Sequence, residues 1–275
     1  EGAYAFAAIH SLKEEIFVAR KTSPLVLGLG NGYNIVGSDA QSISNMVNEV
    51  IYLNDGDYAI LNKTNFQIYD FKNNQVEREK IHIKSNLNFL NKDGYKHFME
   101  KEIHEQPNVL INTIGSLVRE ENDLNIFPEK MNIQKNFGIT ICAAGTSHYA
   151  AMVGKYWIEK FSSVPVNVEL SSEYRYRSPA TEMYSSMIVI SQSGESIDTL
   201  MAMREAKRLN LTTTAITNVE NSSIDREADY SIYTHVGPEV GVASTKSFTS
   251  QLIVLLSIAM KIGIYNKNIT SEKYE

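Results

Sequence analysis

Residues 187–209 read Met-Ile-Val-Ile-Ser-Gln-Ser-Gly-Glu-Ser-Ile-Asp-Thr-Leu-Met-Ala-Met-Arg-Glu-Ala-Lys-Arg-Leu. Met187 to Ile190 form an apolar run that does not alternate, the pattern of a strand buried on both faces. From Ile197 to Leu209 the spacing predicts a helix. Between them stand three serines, a glutamine and a glycine. A buried strand, a short hydroxyl-rich junction and a helix make one unit of a parallel sheet.

The flanking sequence repeats this unit. Strands are predicted at Ile139–Ala143, Val164–Leu170, Met187–Ser191, Thr213–Val219 and Ser231–His235. Helices are predicted at 147–161, 197–209 and 247–262. A strand–helix order with short connections predicts a parallel sheet covered by helices on both faces.

In such sheets ligands bind outside the carboxyl ends of the strands. The following helix presents unpaired N–H groups and about half a positive charge there, and phosphate suits that position. Ser191, Ser193 and Ser196 offer hydroxyls, Gln192 an amide, and Gly194 close backbone approach. Helix capping alone also explains serines at this place. Two further junctions favour a ligand. Ala143-Ala144-Gly145-Thr146-Ser147-His148 and Gly241-Val242-Ala243-Ser244-Thr245-Lys246-Ser247 also join a strand to a helix with small and hydroxyl residues. A cap needs one hydroxyl, and each junction has at least two. A phosphorylated, polyhydroxylated ligand is the expected occupant.

Residues 1–84 differ in character. Short apolar runs at Ala3–Ile9, Ile16–Arg20, Leu25–Gly28 and Tyr33–Gly37 are separated by turn signals such as Gly30-Asn31-Gly32 and Asn54-Asp55-Gly56-Asp57. They predict antiparallel hairpins, with one helix over Gln41–Val47. Residues 85–135 read as a helical connector. A helix over Tyr95–Glu105 is expected to end or restart at Pro107, and a second to run from Val109 to Val118.

Composition narrows the function. The chain has 275 residues, a net charge of −6, 43% hydrophobic and 21% charged residues. Two domains are expected at this length. An acidic chain without a Lys/Arg run offers little to nucleic acid or an anionic membrane. The longest apolar stretch, Leu252–Met260, is short of the ~20 residues that span a bilayer. No signal-peptide pattern opens the chain. The single cysteine, Cys142, excludes an internal disulfide and a cysteine-based zinc cage, and fits a reducing, cytoplasmic compartment.

Ser191-Gln192-Ser193-Gly194-Glu195-Ser196, with Ala144-Gly145-Thr146-Ser147 before it and Glu239-Val240-Gly241-Val242-Ala243-Ser244-Thr245-Lys246 after it, resembles the first sugar isomerase (SIS) domain of the glutamine–fructose-6-phosphate aminotransferase family. Ser172-Glu173-Tyr174-Arg175-Tyr176-Arg177 resembles that family's S-E-F/Y-R-Y-R segment. His97 to Pro107 resembles its interdomain H-x-M-x-K-E-I-x-E-Q-P signature. Arg20-Lys21-Thr22-Ser23-Pro24-Leu25 and Val36-Gly37-Ser38-Asp39 resemble late strands of its glutaminase domain. The resemblance covers nearly the whole chain.

It implies synthesis of glucosamine 6-phosphate from fructose 6-phosphate and glutamine, with no cofactor and no metal. It implies a flavodoxin-like SIS sheet at 136–265, a helical connector at 85–135, and at 1–84 the latter part of an Ntn-type glutaminase domain. Thr146, Ser147, Ser191, Gln192, Ser193 and Ser196 would hold the sugar phosphate, and Val242 and Ser244 would close the pocket. The family most often has Thr at the position of Ser196 and often Cys at that of Ala144. Its glutaminase nucleophile is an N-terminal Cys, whereas this sequence starts at Glu1. No second SIS domain precedes the end at Glu275. A fragment that does not complete the reaction is therefore expected, with glutamine a substrate only of the intact enzyme, no catalytic residue assigned, and a homodimer in the intact protein. Two other readings stay open. A phosphosugar-sensing regulatory SIS module would adjoin a basic DNA-binding domain, and a phosphosugar isomerase would need its own general base.

Several single residues are also read. Cys142 is expected to be a buried small apolar group. His148 is either near the ligand or on the surface, and His97 and His104 serve packing or the surface rather than a metal. Lys246, unusual at a helix start, implies a ligand or intersubunit carboxylate. Asp225, Arg226 and Glu227 read as a solvated face. Tyr156, Trp157, Met201 and Met203 read as core.

Overall fold

A computed structural model describes residues 2–83, 91–120, 123–124, 138–180 and 183–269. The chain forms two compact units, residues 1–91 and 92–275.

The first unit is built from two antiparallel sheets. One has the order β1-β2-β6-β7-β8: β1 (Tyr4–Ile9), β2 (Ile16–Lys21), β6 (Tyr58–Leu61), β7 (Phe66–Tyr69) and β8 (Gln75–Val76). The other has the order β4-β3-β5-β9: β3 (Val26–Leu29), β4 (Asn34–Gly37), β5 (Glu49–Tyr52) and β9 (Lys80–His82). Side chains alternate between faces. Val18, Ala59, Leu61 and Ile68 from the first sheet therefore share a core with Leu27 and Ile51 from the second. Val26 and Val50 face the opposite way and pack under α1 (Ala40–Ile43). That helix has one turn, shorter than the predicted Gln41–Val47. Asp39 caps it, its carboxylate accepting the Ser42 N–H at 2.8 Å. On the outer face of the first sheet, Tyr4, Phe6, Phe17, Tyr58 and Tyr69 form a ladder of rings with centroids 5.0–6.0 Å apart.

The second unit opens with α2 (Phe98–Leu117), one continuous helix that contains Pro107. The expected break is absent for a local reason. Pro107 has no N–H for the Ile103 carbonyl four residues earlier. The Gln106 side-chain amide donates to that carbonyl instead, at 3.0 Å. A small hairpin of β10 (Val118–Glu120) and β11 (Asp123–Leu124) follows. Most of the remaining connector expectation, residues 85–90 and 125–135, lies outside the described residues.

The rest is a five-stranded parallel sheet of order β13-β12-β14-β15-β16. Its strands are β12 (Gly138–Ala143), β13 (Val166–Leu170), β14 (Tyr184–Ser191), β15 (Thr212–Thr217) and β16 (Tyr230–Tyr233). The flavodoxin-like α/β expectation holds here. Ile139, Ile141, Ile188, Ile190 and Ile216 face α3 (Gly145–Ser162) and α7 (Lys246–Tyr265). Cys142, Met187, Val189 and Ala215 face the other layer, α4 (Ser171–Tyr174), α5 (Ile197–Arg208) and α6 (Ser223–Glu227). Each fully buried Ile or Val contributes about 1.5–3 kcal/mol relative to exposure.

Gly154 lets α3 and α7 approach closely, since a Cβ there would stand 2.9 Å from Leu255 Cδ1. By length and composition α7 could cross a membrane. Here Val254, Leu255, Ile258, Ala259 and Ile262 are buried in the core, and α7 packs against α2 and α3.

Trp157 and Met203 join the core as expected. Tyr156 does not. It is 70% exposed, because α3 buries the face of Ala150, Ala151, Gly154 and Ile158. The triplet 225–227 is solvated in part: Arg226 is exposed as expected, whereas Asp225 and Glu227 are half-buried and paired, Asp225 accepting from Tyr233 OH at 2.9 Å and Glu227 binding Arg204.

Candidate functional site

All five strands of the parallel sheet run the same way, so their carboxyl ends share one rim. The chain leaves β12 toward β13 on one side and returns to β14 on the other. The topological switch point therefore lies between β12 and β14, where open α/β sheets bind ligands. These two strands are hydrogen-bonded neighbours, with Ala143 opposite Ile190. The Ala144–Ser147 and Ser191–Ser196 junctions leave the sheet side by side.

The hydroxyls of these junctions do not cap their own helices. Ala144, Ser196 and Thr245, at the starts of α3, α5 and α7, make no side-chain cap hydrogen bond. Thr146 is exposed and Ser147 half-buried, and neither side-chain hydroxyl makes a hydrogen bond among the described residues. Ser191 Oγ accepts the Gly194 N–H at 3.1 Å, and Ser193 Oγ accepts the Glu195 N–H at 3.2 Å. A hydroxyl that accepts an amide keeps its own proton to donate. Ser191 and Ser193 thus shape the loop and remain donors. Ser196 Oγ lies 3.1 Å from Thr199 Oγ1, which is also 3.0 Å from Ser171 Oγ.

Cys142 closes that buried chain, donating to Ser171 at 3.6 Å. Burial pushes its thiol up to about 11, with the Ser171 contact working the other way. The thiol is accordingly protonated at neutral pH, as a packing residue is.

Gly194 has a φ of +65°. Its carbonyl accepts the Ile224 N–H at 2.9 Å, which ties the loop to α6. Glu195 turns the same way, its Oε1 accepting the Ser223 N–H at 2.9 Å.

The third junction follows β16, two strands from β14. Asn218, at the end of β15, joins it to the second. Its backbone N–H donates to Gln192 O at 3.1 Å. Its side chain donates to Gly237 O at 2.7 Å and accepts the Val236 N–H at 2.9 Å. Further along, Glu239 accepts from Ser244 Oγ at 3.2 Å, from Thr245 N at 2.8 Å and from Ser247 N at 3.2 Å. A carboxylate thus occupies the start of α7, the position a dipole favours. Val242 stands fully in solvent at the loop apex.

Lys246 pairs with Glu105 of α2 at 2.7 Å, so its carboxylate partner lies within the same unit. His104 stacks on Tyr95 with ring centroids 5.3 Å apart. A separate cavity of about 220 Å³, lined by Thr140, Asn167, Glu169, Tyr174, Arg177 and Tyr184 among others, includes none of the eight predicted sugar residues.

Asn218, Glu239 and Glu102, which accepts the Val240 and Gly241 N–H groups, were not anticipated from sequence. Asn218 carried a usable signal, since it stands at the carboxyl end of a predicted parallel strand. The two glutamates act on backbone amides; both stand in stretches that resemble family motifs, but no role follows from the resemblance.

The parallel sheet, its strand order and its hydroxyl-lined rim define a SIS domain, and residues 133–261 match the SIS domain family model. Along nearly its whole length the chain is similar to proteins named glutamine–fructose-6-phosphate aminotransferase. It is 40% identical over 279 residues to the enzyme of that name from Clostridium tetani, covering 100% of this chain and 46% of the relative. It is 42% identical over 270 residues to that of Chlorobaculum tepidum, covering 96% of this chain and 44% of the relative. Among solved structures, the C-terminal domain of the Francisella tularensis glucosamine-fructose-6-phosphate aminotransferase is similar, with a TM-score of 0.63 and 42% identity over 66% of this chain and 52% of that one. The chain spans less than half the length of the curated relatives it matches.

Proposed function

We propose that this chain supplies the phosphosugar-binding SIS domain of an enzyme that makes glucosamine 6-phosphate from fructose 6-phosphate and glutamine. The observation that carries this reading is the pair of adjacent junctions at the switch point, whose hydroxyls are not used as caps of their own helices. Thr146, Ser147, Ser191, Ser193 and Ser196 hold the phosphate and sugar hydroxyls in this reading. Gln192 contributes its amide, and Val242 and Ser244 close over the sugar. Neutral donors with helix N-termini behind them suit a single phosphate group.

In the same reading residues 1–84 are part of an Ntn-type glutaminase domain, 85–135 a connector and 136–265 the SIS domain. The face-to-face antiparallel sheets of the first unit support that assignment. The full reaction, including use of glutamine, belongs to the intact enzyme. The intact enzyme is a cytoplasmic homodimer in this proposal. Tyr149, Met152 and Tyr156, exposed along one stripe of α3, are consistent with a self-association surface.

The test is hydrogen exchange on the full chain with and without fructose 6-phosphate. Slowed exchange is expected at residues 144–148 and 191–197. Protection centred instead on the cavity of Tyr174 and Arg177 would overturn the assignment.

A further inference from the structure

Glu102, on α2, is 3% exposed, and its two carboxylate oxygens have different surroundings. Oε1 accepts two backbone amides, Val240 N–H at 2.6 Å and Gly241 N–H at 3.0 Å. Oε2 is buried and has no hydrogen-bond partner among the described residues. A Cβ on Gly241 would stand 2.6 Å from Oε2, so glycine is what allows the loop this close to the carboxylate.

Glu105 and Gln106 share that side of α2. Glu105 holds Lys246 Nζ at 2.7 Å, and Gln106 Oε1 accepts from Thr249 Oγ1. Residues three and four apart on a helix are neighbours. One patch of α2 therefore grips the chain before Val242 and Ser244 and again after them. Within the loop, Glu239 holds Ser244 and Thr245.

A buried carboxylate with one oxygen unpaired is costly where the aim is helix packing alone. A Leu or Met would fill the space without that cost. What the carboxylate adds is an acceptor for two successive amides, and that fixes the backbone path immediately before Val242. We infer that Glu102 is a positioning residue, which holds the 240–245 loop in the conformation that presents Val242 and Ser244 to the bound phosphosugar. This rests on the rim reading given above.

The experiment is calorimetric titration of fructose 6-phosphate into the full chain and three variants. Glu102→Met keeps the volume but cannot accept an amide, and affinity is expected to fall about tenfold, the scale of one lost charge-assisted hydrogen bond. Glu102→Gln keeps an acceptor oxygen, and its affinity stays within about threefold. A packing role predicts the reverse order, and that order overturns the inference. Should Glu102→Met not fold, Gly241→Ala tests the same contact from the loop side. It is expected to weaken binding at least about threefold by displacing the carboxylate, and unchanged affinity overturns the inference. Ser193→Ala separates the two readings. If it weakens binding while Glu102→Met does not, the positioning role fails and the rim reading stands. If the unaltered chain does not bind the sugar, both fail.

Discussion

A Cβ on Gly194 would lie 1.9 Å from the Oγ of Ser222. The loop between β14 and α5 therefore runs against the start of α6 with no room for a side chain. Its φ of +65° is also a conformation that L residues rarely adopt. Gly194→Ala should lose about 1–2 kcal/mol through backbone strain and about 1–3 kcal/mol more through the clash. Adding Ser222→Gly should recover most of the second part, leaving only the Thr217 Oγ1 contact at 2.9 Å, and none of the first. Chemical denaturation of the single and double variants checks both. A single variant as stable as the unaltered chain would contradict this loop geometry.

Lys246 and Glu105 form an ion pair whose members are unequally buried, 5% against 32% side-chain exposure. The stranded partner decides the cost of breaking it. Glu105→Gln leaves an ammonium buried and should destabilise by about 2–4 kcal/mol, toward the range for a broken buried pair. Lys246→Met leaves a carboxylate that reaches solvent and still has Lys101 at 3.6 Å, and should cost under about 1 kcal/mol. Urea denaturation midpoints of the two variants give the order. Equal losses would contradict the burial asymmetry.

Asp229 sets an acid limit on stability. Burial works to raise its pKa. Hydrogen bonds from Lys207 Nζ, Thr213 N and Thr213 Oγ1 outweigh burial and hold it below the ordinary 3.8. The folded state then binds fewer protons than the unfolded one, so stability rises with pH through that window. The contribution is complete above pH 3.8 and is lost as the pH falls toward the lowered value. Asp229→Asn should be less stable than the unaltered chain at pH 7, and the gap should close below about pH 4. Denaturation midpoints between pH 7 and pH 3 measure it, and a gap independent of pH would refute the assignment.

Much of the fold was legible because its signals are local. The apolar run Met187–Ile190 and the helical spacing after it identify a buried strand and its helix without reference to the rest of the chain. Features that depend on distant or side-chain chemistry were not legible. Pro107 marks a helix break by its own chemistry, but the Gln106 amide supplies the missing donor and the helix continues. The helices at Ser171–Tyr174 and Ser223–Glu227 are too short to show a period. Tyr156 sits beside the half-buried Trp157, and only the packing of α3 decides which of the two turns inward. Lys246 was recognised as needing a carboxylate, but Glu105 lies 141 residues away. The serines of the rim were legible as a group. That Ser191 and Ser193 use their oxygens to accept loop amides, and so keep their protons to donate, needed the structure.

Ser193 tests the central claim most directly, because its hydroxyl proton is unused by the loop and its side chain can be removed without disturbing the core. Titration calorimetry of fructose 6-phosphate should show the Ser193→Ala chain binding more weakly by about 1–2 kcal/mol, the value of one charge-assisted hydrogen bond. Equal affinity in the two chains would contradict the claim that this rim holds the phosphosugar.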